Sequence, residues 1–151
     1  MPIEPLRASD GSRSQSGGTE ATYFITWRLH DATALLNAEE RDLIVGGLRH
    51  FDMARYRLLA FVVMDDHVHV LLQPFRTFAL ERIVHSWKSY SAHIVQKRGR
   101  HGSVWARGYA HRVVRNESEY EEKLAYIRTN PQRRWPAVTH YPWLWYHPTH
   151  T

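Results

Sequence analysis

Two histidines one residue apart, His67 and His69, stand in the stretch Met-Asp-Asp-His-Val-His-Val-Leu-Leu-Gln, residues 64–73. On a strand, side chains two apart point to the same face. The valine- and leucine-rich context predicts a strand, with Val68, Val70 and Leu72 on the opposite face. Two imidazoles then stand side by side over an apolar support. Such a pair suits a divalent cation. It suits equally two half-buried histidines hydrogen-bonded to their neighbours, and this stretch alone does not separate the two readings.

A second set lies farther along. Glu122, Tyr126 and Asn130 recur every four residues and so share one face of a helix, while Tyr120, Leu124 and Ile127 form its apolar stripe. A free phenol has a pKa of about 10 and is a poor nucleophile at neutral pH. A nearby metal or base activates it, or a metal activates its target. If this helix crosses an open sheet face, Asn130 completes a two-histidine cation site and Tyr126 points at a phosphate held there. The alternative is that Tyr126 packs in the core and Asn130 caps the helix C-terminus.

The elements that must position these groups follow from periodicity. From Thr22 to Leu29 the chain alternates: Tyr23, Ile25, Trp27 and Leu29 take one face, Thr22, Phe24, Thr26 and Arg28 the other. Asn37 with Glu40 forms a capping box opening a helix to about Phe51, whose buried stripe is Leu43, Ile44, Leu48 and Phe51. Gly46 and Gly47 weaken this helix or let it pack closely on the sheet. Tyr56 to Met64 reads as a second strand, and Asp65-Asp66 turns it tightly into the histidine strand.

A long helix from about Phe78 to Lys97 buries Leu80, Ile83, Val84, Trp87 and Ile94 and leaves Arg82, His85, Lys88 and Gln96 outward. It leads into Lys97-Arg98-Gly99-Arg100-His101, a basic turn of the kind that holds phosphates. Val104-Trp105 is short and extended, and Tyr109 to Val114 is the fourth main strand. A third helix begins between Asn116 and Ser118, with Ser118 and Glu121 as a capping box and Pro131 as its stop. The order β-α-β-β-α-β, then a terminal helix, predicts an α+β, ferredoxin-like (split βαβ) antiparallel sheet with two helices on one face. The other face is left for the third helix or for ligand.

With 151 residues, 43% of them hydrophobic, the chain has room for one domain with its own core. That domain is expected over 21–151, after a flexible tail, 1–20, rich in Ser, Gly, Arg and Pro. Arg7 and Arg13 would let the tail touch DNA. No apolar run approaches the length of a membrane span, and no secretory signal is visible. Absence of cysteine excludes disulfides and thiolate metal sites, in keeping with the cytoplasm. A net charge of +5, a pI of about 9.7, six Trp and eight Tyr favour a nucleic-acid partner, because cations meet phosphates and rings stack on bases.

The chain resembles the REP-associated tyrosine transposases, a branch of the single-tyrosine transposases of the HUH nuclease superfamily. The resemblance rests on an ordered set: Tyr23-Phe24-Ile25-Thr26; Val63-Met64 before His67-Val68-His69; Trp87-Lys88-Ser89-Tyr90; Trp105-Ala106-Arg107-Gly108-Tyr109; Tyr126-Ile127 with Asn130-Pro131; and Tyr141-Pro142-Trp143. It covers roughly residues 21–146. The family turn before the histidines is typically Met-Pro-Asn; here Met64-Asp65-Asp66 adds two carboxylates beside the site. After Asn130-Pro131 the family commonly has an apolar or basic run with glycine, where this chain has Gln132-Arg133-Arg134-Trp135.

The resemblance implies Mg²⁺ or Mn²⁺ on His67 and His69, with Asn130 as third ligand. It implies attack by Tyr126 on a DNA phosphate, giving a 5′-phosphotyrosine link and a free 3′-hydroxyl, with Glu122 as candidate base or outer-shell group. The implied substrate is single-stranded DNA whose repetitive palindromes fold into hairpins, handled by a monomer or homodimer at the nucleoid. Lys88, Arg98, Arg100, Arg107 and Arg112 are the candidate phosphate contacts, against an ordinary surface role. Trp105 and Tyr109 are candidate base-stacking rings, against core packing. The rival function is a non-catalytic hairpin-binding protein of the same fold. Replication initiators and relaxases carry further large domains, for which there is no room. A histidine-triad hydrolase needs a third histidine where Leu71 stands.

Overall fold

The computed structural model describes residues 21–148, and the predicted tail over 1–20 lies outside them, Arg7 and Arg13 included. The elements run β1 (Thr22–Arg28), α1 (Ala38–His50), β2 (Tyr56–Val63), β3 (His67–Pro74), α2 (Leu80–Lys97), β4 (Ala110–Val114), α3 (Glu117–Arg134) and β5 (Leu144–Tyr146). The strands form one antiparallel sheet in the order β4-β1-β3-β2-β5. Its first four members have the split βαβ order expected from the sequence.

Alternation along β1 divides the interior in two. Tyr23, Ile25, Trp27 and Leu29 join Val68, Val70 and Leu72 in a core closed by Ile44 and Leu48 of α1 and Leu80, Ile83, Val84 and Trp87 of α2. Phe24 faces the other way, with Ala60, Val62 and Leu71, and α3 covers them with Tyr120, Leu124 and Ile127. Burying each of those three side chains contributes about 1.5–3 kcal/mol, so packing sets where α3 lies. The first core also has polar ties: Trp87 Nε1 donates to Tyr56 Oη, which donates to the Leu48 carbonyl. Asn37 and Glu40 make the expected capping box on α1.

Four local expectations are corrected. The cap of α3 is Asn116, whose side chain accepts from the Glu119 backbone N–H, while Ser118 lies inside the helix. An extended asparagine one residue before the first turn meets the free N–H groups better than a serine already in helical geometry. Pro131 does not stop α3, which runs on to Arg134. Proline's φ is helical; what it removes is the bond its missing N–H would make to the Ile127 carbonyl. Gly47 packs against the Tyr90 ring of α2, not against the sheet: a Cβ placed there would lie 3.0 Å from that ring.

The fourth correction is the chain after α3, which returns to add an edge strand, β5, beside β2. Tyr141 Oη donates to the Val63 carbonyl and fastens this return to the end of β2. Trp143, Trp145 and Tyr146 lie beneath Arg41, Arg49 and Arg128. The aromatic run over 141–146 carried the strand propensity that signals it.

Candidate active site

The register places His67 opposite Arg28 and His69 opposite Thr26 on β1. All four side chains therefore share the sheet face covered by α3. The two imidazoles lie edge to face, with ring centroids 4.6 Å apart. His69 is only 3% exposed and stacks on Phe24 at 5.3 Å. Its Nδ1 is 2.7 Å from Thr26 Oγ1, and its Nε2 is buried with no hydrogen-bond partner among the described residues. Burial, then the charges of His67, Arg28, Arg133 and Lys123, pulls its pKa down to about 2, so the ring is neutral and offers a lone pair.

His67 is held from both sides. Its Nδ1 lies 2.6 Å from Asp66 Oδ1, and its Nε2 lies 3.1 Å from Asn130 Oδ1. Burial works against the Asp66 carboxylate, yet His67 and Arg134 keep its pKa below the ordinary range. Asn130 is 6% exposed on the inner side of α3. One turn earlier, Tyr126 stays 42% exposed, and its ring meets His69 at 5.1 Å and Phe24 at 6.1 Å. Of the two open readings of α3, the structure thus shows the one that brings Tyr126 and Asn130 to the imidazoles.

These groups fit a divalent cation. Each histidine anchors Nδ1 to an oxygen, which leaves Nε2 for the site, the arrangement that orients metal-bound imidazoles. The orphaned Nε2 of His69 lacks the partner that buried polar atoms ordinarily have. Among the described residues no three His, Asp or Glu side chains gather as a metal site. A third protein ligand to such a cation would be of another type, and the Asn130 amide oxygen lies 3.1 Å from His67 Nε2.

Positive charge rims this centre. Arg133 lies over the Tyr126 ring at 4.2 Å and donates to Thr129 Oγ1 and the Tyr126 carbonyl. Lys123 lies over Phe24 at 5.3 Å, and Arg28 is exposed at the end of β1. Sequence reasoning put the Asp66 carboxylate beside the site but missed Arg28, Thr26, Lys123, Arg133 and Arg134 as parts of it. Helical spacing held a signal for two: Lys123 and Arg133 lie three before and seven after Tyr126, on its own face.

The other predicted site residues are divided between this face and the opposite side of the sheet. Glu122 is exposed one turn before Tyr126 on α3 and makes no hydrogen bond or ion pair among the described residues. Arg112 pairs with Phe24 across β1 and β4 and so belongs to the active face. Lys88, Trp105, Arg107 and Tyr109 instead line a groove of about 1260 Å³ between α2 and the 103–109 segment.

Of these four only Arg107 is exposed. Lys88 Nζ donates to the carbonyls of Ala106 and Gly108, and burial lowers its pKa. Trp105 is a core residue, edge-on to Trp27 and donating to Ser91 Oγ, so its ring is not offered to a base. Tyr109 packs against the same core, with its hydroxyl buried and its pKa pushed up by burial to about 12.

The basic turn is also corrected. Arg100 donates to both Glu40 oxygens and to the carbonyls of Ala34 and Leu35, and Arg98 pairs with Glu39. The turn staples α1 to the end of α2 and leaves Arg100 little to offer a phosphate.

The solved structures similar to this chain include two transposases. One is a REP-associated tyrosine transposase bound to a REP hairpin, with TM-score 0.70 and 18% identity over 83% of this chain and 76% of that one. The other, from Deinococcus radiodurans R1 and described as a transposase, has TM-score 0.57 and 23% identity over 74% of this chain and 91% of that one. These likenesses define the class of fold: the α+β sheet of transposases. The sequence goes further: residues 21–130 match the family described as Transposase IS200 like, and the chain belongs to that family. No curated protein matches it.

Proposed function

We propose that this transposase-family chain nicks and rejoins single-stranded DNA with Tyr126 as nucleophile. The observation that carries the reading is the convergence of an exposed phenol, a buried neutral imidazole 5.1 Å from it, and a His67–Asn130 pair on the same face. Tyr126 Oη gives up its proton and forms a bond to the scissile phosphorus. The bond from phosphorus to the 3′ oxygen breaks, and that oxygen leaves as a hydroxyl. The product is a 5′-phosphotyrosine link. A 3′-hydroxyl of the same or another strand reverses the step, with no nucleotide cofactor.

His67, His69 and Asn130 would hold Mg²⁺ or Mn²⁺. When bound, the cation supplies charge to offset the phosphate oxygens as the transition state forms. Thr26 and Asp66 orient the two rings, and Arg133, Lys123 and Arg28 draw the DNA backbone to the face. A DNA hairpin of the REP type is the substrate we infer. The net charge of +5 supports it, as does the similar transposase structure bound to a REP hairpin.

The test is incubation with Mg²⁺ or Mn²⁺ and a single-stranded hairpin oligonucleotide. A covalent adduct that survives denaturant is expected with wild type and not with Tyr126→Phe, with chelator, or with duplex DNA. Binding without adduct by the wild type would move the protein to a non-catalytic hairpin binder. An adduct formed by Tyr126→Phe would give the reaction to another tyrosine, Tyr120 first.

A further inference from the structure

The turn between β2 and β3 carries two carboxylates, and one arginine grips both. Arg134, the last residue of α3, places one guanidinium nitrogen 2.9 Å from Asp65 Oδ2 and another 3.4 Å from Asp66 Oδ2. The other oxygen of Asp66 is left for His67 Nδ1, at 2.6 Å. A neutral imidazole carries its hydrogen on one nitrogen only. An ionised carboxylate at that distance draws the hydrogen to Nδ1. Nε2 then turns a lone pair to the side of Asn130 Oδ1, 3.1 Å away. Two acceptors facing one point is an arrangement a cation relieves.

The clamp also joins the elements that have to meet. Asp65 and Asp66 belong to the hairpin that bears the histidines; Arg134 ends the helix that bears Tyr126 and Asn130. Helix packing fixes the first turns of α3 through Tyr120, Leu124 and Ile127. Past Asn130 the helix lacks the bond Pro131 cannot donate, and the ion pairs of Arg134 hold its end.

We propose that Asp66, braced by Arg134, is a positioning residue: it locks the His67 tautomer with Nε2 toward Asn130 and so sets the affinity of the centre for a divalent cation. The proposal rests on the cation reading above, but it concerns the DNA-free protein and does not require Tyr126 to react. Removing an oxygen that orients a metal-bound histidine typically costs 10–100-fold in affinity.

Two measurements on the full chain without DNA test it: nitrogen-15 spectra of the histidine rings, and Mn²⁺ binding followed by electron paramagnetic resonance. Wild type is expected to show His67 as the Nδ1–H tautomer and to take up Mn²⁺. Asp66→Ala should give a mixed tautomer and bind Mn²⁺ about 10–100-fold more weakly. Asp66→Asn, which keeps an acceptor of the same size but no charge, should keep the tautomer and lose less affinity. Arg134→Ala should fall between wild type and Asp66→Ala, with Arg134→Lys restoring part of the loss. Circular dichroism separates these effects from unfolding. A folded Asp66→Ala with the wild-type tautomer and Mn²⁺ affinity within twofold of wild type overturns the proposal, as does a wild type that takes up no Mn²⁺. A wild type that passes both measurements yet forms no DNA adduct leaves the clamp standing and defeats only the nuclease reading.

Discussion

The two faces of the sheet are built from the same strands and serve opposite ends. Along β3, Val68 and Val70 face α1 and α2, and His67 and His69 face α3. The α1/α2 side is filled with rings: Trp27 stacks on Trp87 and meets Trp105 edge-on. The α3 side holds buried polar groups beside an exposed phenol and a rim of cations. Each side has a buried polar atom without a partner among the described residues, Trp27 Nε1 on one and His69 Nε2 on the other. The first is an indole donor lodged among Trp87 and Trp105, a cost carried by packing. The second is the acceptor of a neutral ring beside Tyr126, where a ligand would meet it. An orphaned atom therefore gains functional meaning only from its neighbours.

The largest effect expected separates chemistry from stability. Tyr126→Phe should lower adduct formation by at least about 10³-fold, which is about 4 kcal/mol in the barrier. It should shift thermal unfolding by no more than about 0.5 kcal/mol, since the side chain is largely exposed. A comparable loss of stability would make Tyr126 a core residue and erase the contrast between the faces. Next, Trp105→Ala on the opposite face should destabilise by about 3–5 kcal/mol in denaturant melts. Its adduct yield per folded molecule should hold. A selective loss of DNA binding in the folded variant would return Trp105 to the DNA surface.

A smaller effect, with a pH signature, is expected at the staple. Arg100 holds the Glu40 carboxyl below its ordinary pKa against the opposing effect of burial, and the Asn37 backbone N–H helps. The unfolded chain then binds the proton more readily than the fold does. Glu40 thus contributes stability that is present above its unfolded pKa and lost as pH falls through the lower folded value. Arg100→Ala should cost about 3 kcal/mol near neutral pH. It should also flatten the decline of stability below about pH 4.5. An unchanged acid limb would remove Glu40 from the account.

The smallest effects compare the exposed cations of the two faces by the salt dependence of hairpin binding. Arg133→Ala should reduce the salt slope by about 1, as one phosphate contact is lost. Arg107→Ala should do so only if DNA also enters the α2 groove. A full effect at Arg107 with none at Arg133 would place the backbone path on the groove side.

Periodicity made most of the fold legible. The alternation of β1, the Asn37–Glu40 capping box and the stripe on α3 each correspond to a structural fact, because each is a local pattern tied to burial. Pro131 and Asn116 were misread because proline is compatible with helical φ and because a cap depends on where the first turn closes. The edge strand β5 escaped because short edge strands carry little alternation. At the site, spacing brought Tyr126 and Asn130 onto one helix and His67 and His69 onto one strand, and tertiary packing made them meet. No local pattern tells a lysine that holds carbonyls, Lys88, from one that holds phosphates. Nor does one tell a stapling arginine, Arg100, from an exposed one such as Arg107.

Proline at 131 leaves the tyrosine helix with a borrowed last turn. Cut out as a peptide, α3 would be expected to fray after Asn130, because the Ile127 carbonyl has lost its usual partner and Arg134 would have no turn to hold. In the protein, the hairpin supplies what the helix itself lacks. The amide beside His67 thus sits where one element's own cohesion ends and the other's grip begins, so loosening either partner is felt first at that joint.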